Sequence, residues 1–451
     1  MTSVKTAPGM LEHPQIKMLS PKTLKPYANN ARTHSRGQIK QIAESIKRFG
    51  FTNPVLIAED RSIMAGHGRV EAAKQLGLKS IPVIALKHLS EDERRAYILA
   101  DNKLALNAGW DRDILAIELQ ALVDVAFDVE LLGFETAEID LVLDDAREAA
   151  ADMAGQQPDA EDVIPDSVEG PAVTEQGDVW LLGRHRLICG DARDQETLDR
   201  LTGGQMVDLV FTDPPYNVPI KGHVSGLGVH THREFTCASG EMSKAQFTDF
   251  LTATLSNAAR QCKDGAIAFV CMDWRHMGEM LSAGEAVFTS LKNLCVWNKT
   301  NGGMGSFYRS KHELIFVWKV GTAPHTNTFG LGDRGRYRTN VWDYAGVNVP
   351  KAEREEELAM HPTVKPVRMV ADAMRDCSRR GERVLDLFGG SGSTLIAAET
   401  CGRSALLVEC DPLYCDTIIR RFERFTGQNA RHEGSGQRFE DVALSLEGET
   451  A

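Results

Sequence analysis

Apolar positions recur every three or four residues from Gln38 to Phe49, where Ile39, Ile42, Ile46 and Phe49 form one stripe that stops at Gly50. That spacing predicts an amphipathic helix ended by a glycine. Pro54–Ala58, Ser62–Ala65 and Ile81–Leu86 are apolar runs of strand length. The turn Gly66-His67-Gly68-Arg69 follows the second run and opens a helical pattern reaching Leu76, before Gly77. Residues 16–107 therefore read as a small α/β unit, bounded at 1–110. From Asp111 to Ala150 the pattern is helical, with Ile114, Leu115, Ile117, Leu119 and Leu122 set between carboxylates. Residues 151–177 are acidic, contain proline and lack aromatics, a composition that predicts a flexible linker. From Val179 to Phe425 strand-like and helix-like segments alternate, which predicts an α/β domain with a mostly parallel sheet over 178–427. The polar end, 428–451, is expected to fray.

Composition changes this picture in one respect. The 451-residue chain has a formal net charge of −12, at first sight unsuited to a polyanionic partner. The acidity is local: Asp111–Asp178 holds twenty acidic and two basic residues. The rest of the chain is net positive and can offer a basic face to phosphates. The nine cysteines make no C-x-x-C pair, so reduced buried thiols are expected and no metal site is read. No apolar run spans a bilayer and the N-terminus lacks an apolar core of signal-peptide type. The expectation is a cytoplasmic protein with no membrane partner.

The strongest chemical signal is Val207-Asp-Leu-Val-Phe-Thr-Asp213-Pro214-Pro215-Tyr216-Asn217. An apolar strand ends in an acid, two prolines and an aromatic, and proline cannot continue a central strand. The carboxyl end of a strand in an open α/β sheet is where ligands bind. A lone D-P-P is as readily a solvated turn. The attached aromatic and the motifs that follow favour chemistry. An exocyclic amine is a poor nucleophile because its lone pair is delocalised. A carboxylate (Asp213) and a carbonyl (Pro214) accepting its two N–H bonds localise that pair and stabilise the positive charge that develops. Rigid prolines hold this geometry in advance, and Tyr216 can stack on an extruded base.

A second signal is Arg383-Val-Leu-Asp386-Leu-Phe388-Gly389-Gly390-Ser391-Gly392-Ser393-Thr394, a strand, glycine turn and helix. Some twenty residues later the strand Ser404–Glu409 ends in an acid placed for ribose hydroxyls. The string is not G-x-G-x-x-G, and no lysine follows as a P-loop requires. His361-Pro-Thr363-Val-Lys365-Pro366 and Cys189-Gly190-Asp191 would each be ordinary turns alone.

Together these strings resemble the amino-methyltransferases of DNA, over residues 178–427, and their order resembles the circularly permuted beta class. The resemblance implies a Rossmann-like AdoMet-dependent methyltransferase fold, S-adenosylmethionine as cofactor and double-stranded DNA as substrate. It makes Asp213, Pro214, Pro215 and Tyr216 catalytic. It places Asp386, Phe388, Gly390, Gly392 and Ser393 along the cofactor, Glu409 on its ribose, Asp191 by its adenine, and Thr363 and Lys365 near its methionine end. Asp213, where other members carry serine, resembles the adenine-modifying enzymes, so N6 of adenine is expected and N4 of cytosine is the alternative. Residues 219–348 hold Tyr308, Arg309, Lys311, Arg334, Arg336, Tyr337 and Arg338, basic and aromatic residues interleaved as a target-recognition region requires.

The N-terminal unit resembles the ParB/sulfiredoxin-type domains through Ala65–Arg69 and the helix after it. That resemblance implies that Gly66, His67, Gly68 and Arg69 cradle a phosphate of a nucleotide or of DNA at a helix N-terminus. His67 and Gly68 interrupt the family's arginine-rich box, which leaves hydrolysis and nuclease activity open. The rival to a site-specific methyltransferase is a DNA-binding ParB-like regulator with a vestigial methyltransferase half. RNA or protein methylation is disfavoured by the motif order. Target sequence, a partner restriction enzyme and a homodimer remain open at this level.

Overall fold

The structure is a computed structural model. It describes residues 15–125, 127–153, 160–163, 171–218, 240–299, 307–329, 338–345 and 364–450. The chain divides into two compact units, Met1–Ala150 and Ala151–Ala451.

The first unit holds β1 (Ile16–Leu19), α1 (Arg36–Phe49), β2 (Val55–Ile57), β3 (Ile63–Ala65), α2 (His67–Gln75), β4 (Ile81–Ala85), α3 (Glu91–Leu106), α4 (Arg112–Asp124) and α5 (Thr136–Met153). Its sheet runs β1-β4-β2-β3. Val70 and Ala73 of α2 pack on Val55 and Ile57 of β2, with Ile63, Ile81 and Val83 completing the core. The apolar stripe of α1 is half-buried; its fully enclosed residue is Ala43, and Phe49 lies open at 49% exposure. Helices α4 and α5 close on a separate small core of Ala116, Leu119, Val129, Ile139, Val142 and Leu143. Ile114 and Ile117 face outward.

The second unit holds β5 (Val179–Leu182), β6 (His185–Cys189), α6 (Gln195–Thr202), β7 (Val207–Thr212), α7 (Lys244–Gln261), β8 (Cys262–Met272), α8 (Met277–Val287), β9 (Ser290–Asn298), β10 (His312–Lys319), β11 (Val341–Asp343), α9 (Val367–Cys377), β12 (Arg383–Asp386), α10 (Ser393–Thr400), β13 (Ser404–Glu409), α11 (Pro412–Thr426), β14 (Arg431–His432) and α12 (Phe439–Thr450). The ten-stranded sheet is ordered β11-β9-β10-β8-β7-β12-β13-β6-β5-β14. The five strands β8, β7, β12, β13 and β6 are mutually parallel; β10, β5 and β14 join antiparallel. Both faces of the parallel strands are covered. Leu209, Val384 and Leu407 enter one core, and Val210, Leu385 and Leu406 the other. That is why these strands are continuously apolar rather than alternating.

Two expectations need correction. The polar end does not fray from Gly427: β14 pairs with β5, and Phe439, 3% exposed, packs its ring 5.3 Å from Trp180. The apolar anchors are few and scattered, Phe439 and Ala430 in the core with Val442, Ala443 and Leu446 packed against it, too sparse a signal against a polar background. The last residues of the expected linker are also fixed. The Val173 and Thr174 amides donate to the buried Asp416 carboxylate at 2.8 and 3.0 Å. The eight described cysteines are all buried except Cys410. Among the described residues no helix is long and apolar enough to cross a membrane.

Candidate active site

Strand order gathers motifs that lie far apart in sequence. β7, β12, β13 and β6 are adjacent and parallel, so their carboxyl ends share one edge of the sheet. Along it stand Asp213 after β7, Asp386 and the glycine turn at β12, Glu409 at the end of β13 and Asp191 after β6.

At β7 the chain leaves the sheet through Asp213-Pro214-Pro215-Tyr216 and turns at Asn217, whose φ is +51°. The Asn217 amide holds that turn: it donates to the Met242 carbonyl (2.8 Å) and accepts from the Gly240 and Met242 amides. Asp213 is not solitary. The Tyr216 hydroxyl donates to one of its oxygens at 2.6 Å, and the Lys365 ammonium donates to the other. Lys365 also bonds the Tyr216 oxygen (3.2 Å) and the Glu313 carboxylate (3.1 Å). Glu313, at the start of β10, is paired on its other oxygen with Lys299, whose ammonium lies 4.6 Å from the Trp297 ring centre. Lys365 is 5% exposed and Glu313 8%, while the Asp213 side chain keeps 19% open. Of the three buried members Asp213, Glu313 and Lys365, Asp213 is the most open, while Lys299 reaches the surface behind Glu313 at 29%.

The charges follow from this packing. Burial pushes the Asp213 carboxyl above its ordinary range; Lys365 opposes the rise and Glu313 adds to it. Burial acts on Glu313 too, but two ammonium groups outweigh it and hold Glu313 below the carboxylate range. For Lys365, burial disfavours the charge, and the two carboxylates overcome it and raise its pKa. Burial and the neighbouring acids push the Tyr216 hydroxyl well up, so it remains a donor.

At β12, Asp386 is buried and accepts from the Thr212 hydroxyl (2.9 Å), the Thr394 hydroxyl (2.6 Å) and the Phe388 amide (3.1 Å). Burial nevertheless pushes its carboxyl up to about 7. These bonds tie the ends of β7 and β12 to the first turn of α10. Gly390 and Gly392 have φ of +51° and +85°, which is glycine territory, and Gly392 caps α10 just before Ser393. Glu409, 7% exposed, accepts from the Gly390 amide (2.8 Å) and the Asp411 amide (2.9 Å); burial raises its carboxyl against those bonds. Phe388 is partly buried, its ring 6.0 Å from Phe250. Asp191 is engaged elsewhere: both oxygens hold the Arg193 guanidinium, the closest contact 2.6 Å. Burial works against its charge, and the Arg193 bonds win and lower its pKa.

The structure therefore brings together Asp213, Tyr216, Asp386, the glycine turn and Glu409 as the motifs anticipate. It sets Lys365 on the Asp213 carboxylate. Lys299 and Glu313 escaped the reading of the sequence. The one available cue was a charged residue heading the apolar run Glu313–Trp318. Thr363 and the basic-aromatic residues Arg334, Arg336 and Tyr337 lie outside the described residues.

In the first unit, Gly66 (φ +99°) caps α2 without a side-chain bond. The Arg69 guanidinium folds back to the Asn53 carbonyl at 2.8 Å, and burial lowers its pKa. The His67 ring accepts from the Tyr27 amide at 3.4 Å. A Cβ on Gly68 would lie 2.9 Å from the Ile42 side chain, so glycine there admits α1.

Three family models match the chain: ParB N-terminal domain over residues 5–103, ParB-methyltransferase HTH domain over 113–176 and DNA methylase over 207–420. The ParB-like nuclease domain-containing protein YnaK of Escherichia coli (strain K12) is 57% identical over 72 residues, 16% of this chain and 83% of that protein. The type II methyltransferase M.HpaI of Haemophilus parainfluenzae is 24% identical over 254 residues, 53% of this chain and 74% of that protein. Among solved structures, the M1.HpyAVI–SAM complex matches with a TM-score of 0.39 at 17% identity, covering 52% of this chain and 97% of that one.

Proposed function

The chain belongs to the N6/N4 DNA methylases, with a ParB-like N-terminal domain and a ParB-methyltransferase HTH domain ahead of the methylase domain, and from that premise we propose that it methylates N6 of adenine in double-stranded DNA at specific sites. The observation that carries the reading is the Asp213–Tyr216 pair, rigidly presented at the carboxyl end of β7 and open on the Asp213 side.

S-adenosylmethionine is the methyl donor in this reading, supplying an electrophilic methyl group on sulfur. The edge residues fit it. Positive-φ glycines after β12 let a ligand approach the backbone. A carboxylate takes about four hydrogen bonds, so the two amides on Glu409 leave acceptor capacity for a ribose diol. Phe388 offers an apolar flank, and Asp386 braces the turn. Asp191, held by Arg193, shapes the turn after β6 rather than reaching the cofactor's adenine itself.

On the substrate side, Asp213 accepts one N–H of the target amine and the Pro214 carbonyl the other. Each bond strengthens as the nitrogen gains positive charge, which lowers the barrier rather than merely improving binding. Tyr216 donates to Asp213, keeps the carboxylate aimed and presents its ring to the base. The intact, mutually bonded set of Asp213, Tyr216, Lys365 and Glu313 argues against a relic.

In the first unit, the amides at the start of α2 and the Arg69 guanidinium suit a phosphate of a nucleotide or of DNA. The test of the principal reading is mass spectrometry of nucleosides from duplex DNA incubated with protein and cofactor. N6-methyladenine is expected; N4-methylcytosine alone would move the assignment to cytosine, and no methylated base would end it.

A further inference from the structure

The Lys365 ammonium presents a difficulty for the chemistry just described. A cation bonded to Asp213 partly neutralises the very carboxylate that must stabilise a second positive charge, on the target amine. At such short range two like charges repel strongly in a site shielded from water. Glu313 meets this difficulty. Its carboxylate lies 3.1 Å from the Lys365 ammonium and 3.1 Å from the Tyr216 hydroxyl. Lys299 pairs with it from the far side and leaves the four-member cluster formally neutral.

We propose that Glu313 is a positioning residue for methyl transfer, giving Lys365 a second anchor so that Asp213 is free to hold the amine. The proposal rests on the methylase reading of the site. Before the base enters, Lys365 is shared between Asp213 and Glu313, and Tyr216 is held by the same pair of acids. When the amine binds, Lys365 leans on Glu313 and the Asp213 oxygen it releases accepts the amine N–H. Lys299 keeps Glu313 from becoming a net negative charge that would trap the base as a cation. No bond is made or broken by these groups; they set the field in which the amine reacts. Lys365 accordingly serves the acceptor side of the site through Asp213.

The groups that face Asp213 are Lys365 ahead of α9, Glu313 on β10, Tyr216 in its own loop, Cys271 on β8 and Asp386 at the end of β12. Of these, Lys365 favours the ionised carboxylate and Glu313 opposes it. The two therefore leave opposite signatures in the pH profile of kcat, whose acid limb reports Asp213 losing its proton. The experiment compares the full-length wild type, Glu313→Gln and Lys365→Met on one duplex, with product nucleosides identified. AdoMet affinity and thermal midpoint are measured on each protein.

Glu313→Gln is expected to lower kcat about 10- to 100-fold, because Lys365 then settles on Asp213 alone, while AdoMet affinity stays within about twofold. Its acid limb moves down by about one pH unit, and that of Lys365→Met moves up by about as much. The double variant is expected to be no slower than Glu313→Gln, since the cation that Glu313 restrains is gone. Limbs that stay in place, or that move in the same direction, overturn the proposal while leaving the methylase reading intact. Should Glu313→Gln fail to fold, Lys365→Met alone decides: an acid limb that does not rise overturns it. A wild type that forms no methylated base overturns the methylase reading, and this inference with it.

Discussion

Two glycine turns in this chain share one backbone device and face opposite charges. Gly66 ahead of α2 and Gly392 ahead of α10 both take a positive φ and cap a helix without a side-chain bond. Each leaves helix amides pointing outward, which suits an electron-rich ligand. At Gly66 the nearby charged group is Arg69, bonded to the Asn53 carbonyl. At the other turn it is Glu409, which takes the Gly390 amide for itself. A guanidinium beside free amides suits phosphate; a carboxylate that consumes an amide repels phosphate and suits hydroxyls. The difference teaches that a glycine turn names no ligand until the next strand end supplies the charge.

The largest effect expected on the acidic edge is that of Asp213→Ala, which should reduce methyl transfer by about 10²- to 10³-fold or more. AdoMet affinity by calorimetry should be nearly unchanged, as should phosphate binding by the first unit. Wild-type turnover in this variant would remove Asp213 from the chemistry. Next comes Glu409→Ala, expected to raise the AdoMet Kd by about 10- to 100-fold, the range for a hydrogen bond to a charged group. DNA affinity at saturating cofactor should not move; an unaltered Kd would exclude Glu409 from the site.

Arg69→Ala tests the basic turn. In the full chain it should weaken binding of nucleoside triphosphate or duplex DNA and lower the magnitude of the DNA salt slope by about one, as loss of one phosphate contact requires. Methylation of short duplexes should change little. If titrations at two salt concentrations show neither ligand bound by the wild type, the turn is structural only.

The smallest effect lies at the amino edge of the methylase sheet. There Glu399 accepts from buried His185 and from Arg184. The His185 hydrogen bond holds the Glu399 carboxyl down to about 2, against burial. A depressed acid stabilises the fold above its unfolded pKa of about 4.3, and that stability is lost as pH falls from there towards 2. Burial lowers the His185 pKa, which likewise favours the fold at higher pH. Glu399→Gln should lower the thermal midpoint modestly at pH 8, where the ionised carboxylate contributes, and little near pH 2, so that its fall below pH 4.5 is flattened. An unchanged acid slope would show that the pair contributes nothing.

What the sequence made legible is what is local. Strand, acid and turn residues lie side by side in Val207–Tyr216 and Arg383–Thr394, so the loops at β7 and β12 could be placed at strand ends before any fold was known. The Glu409 position followed from the spacing of one strand–helix–strand unit. The Lys365 environment was not legible, because Asp213 lies 152 residues away and the two meet only through strand order. Glu313 and Lys299 were hidden for the same reason: β10 inserts antiparallel between β8 and β9, and no local pattern announces that. The terminal segment was misjudged since it is held by the two residues of β14 and a few scattered apolar side chains, Ala430, Phe439, Val442 and Leu446, that form no continuous run.

The central claim is that Asp213 and its loop methylate adenine in duplex DNA at defined sites. The most direct measurement is modification-aware sequencing of DNA from cells expressing the wild type or Asp213→Ala. The account predicts N6-methyladenine confined to one recurring sequence context with the wild type, and none with the variant. The same marks in both, or modified cytosine in place of adenine, would contradict it.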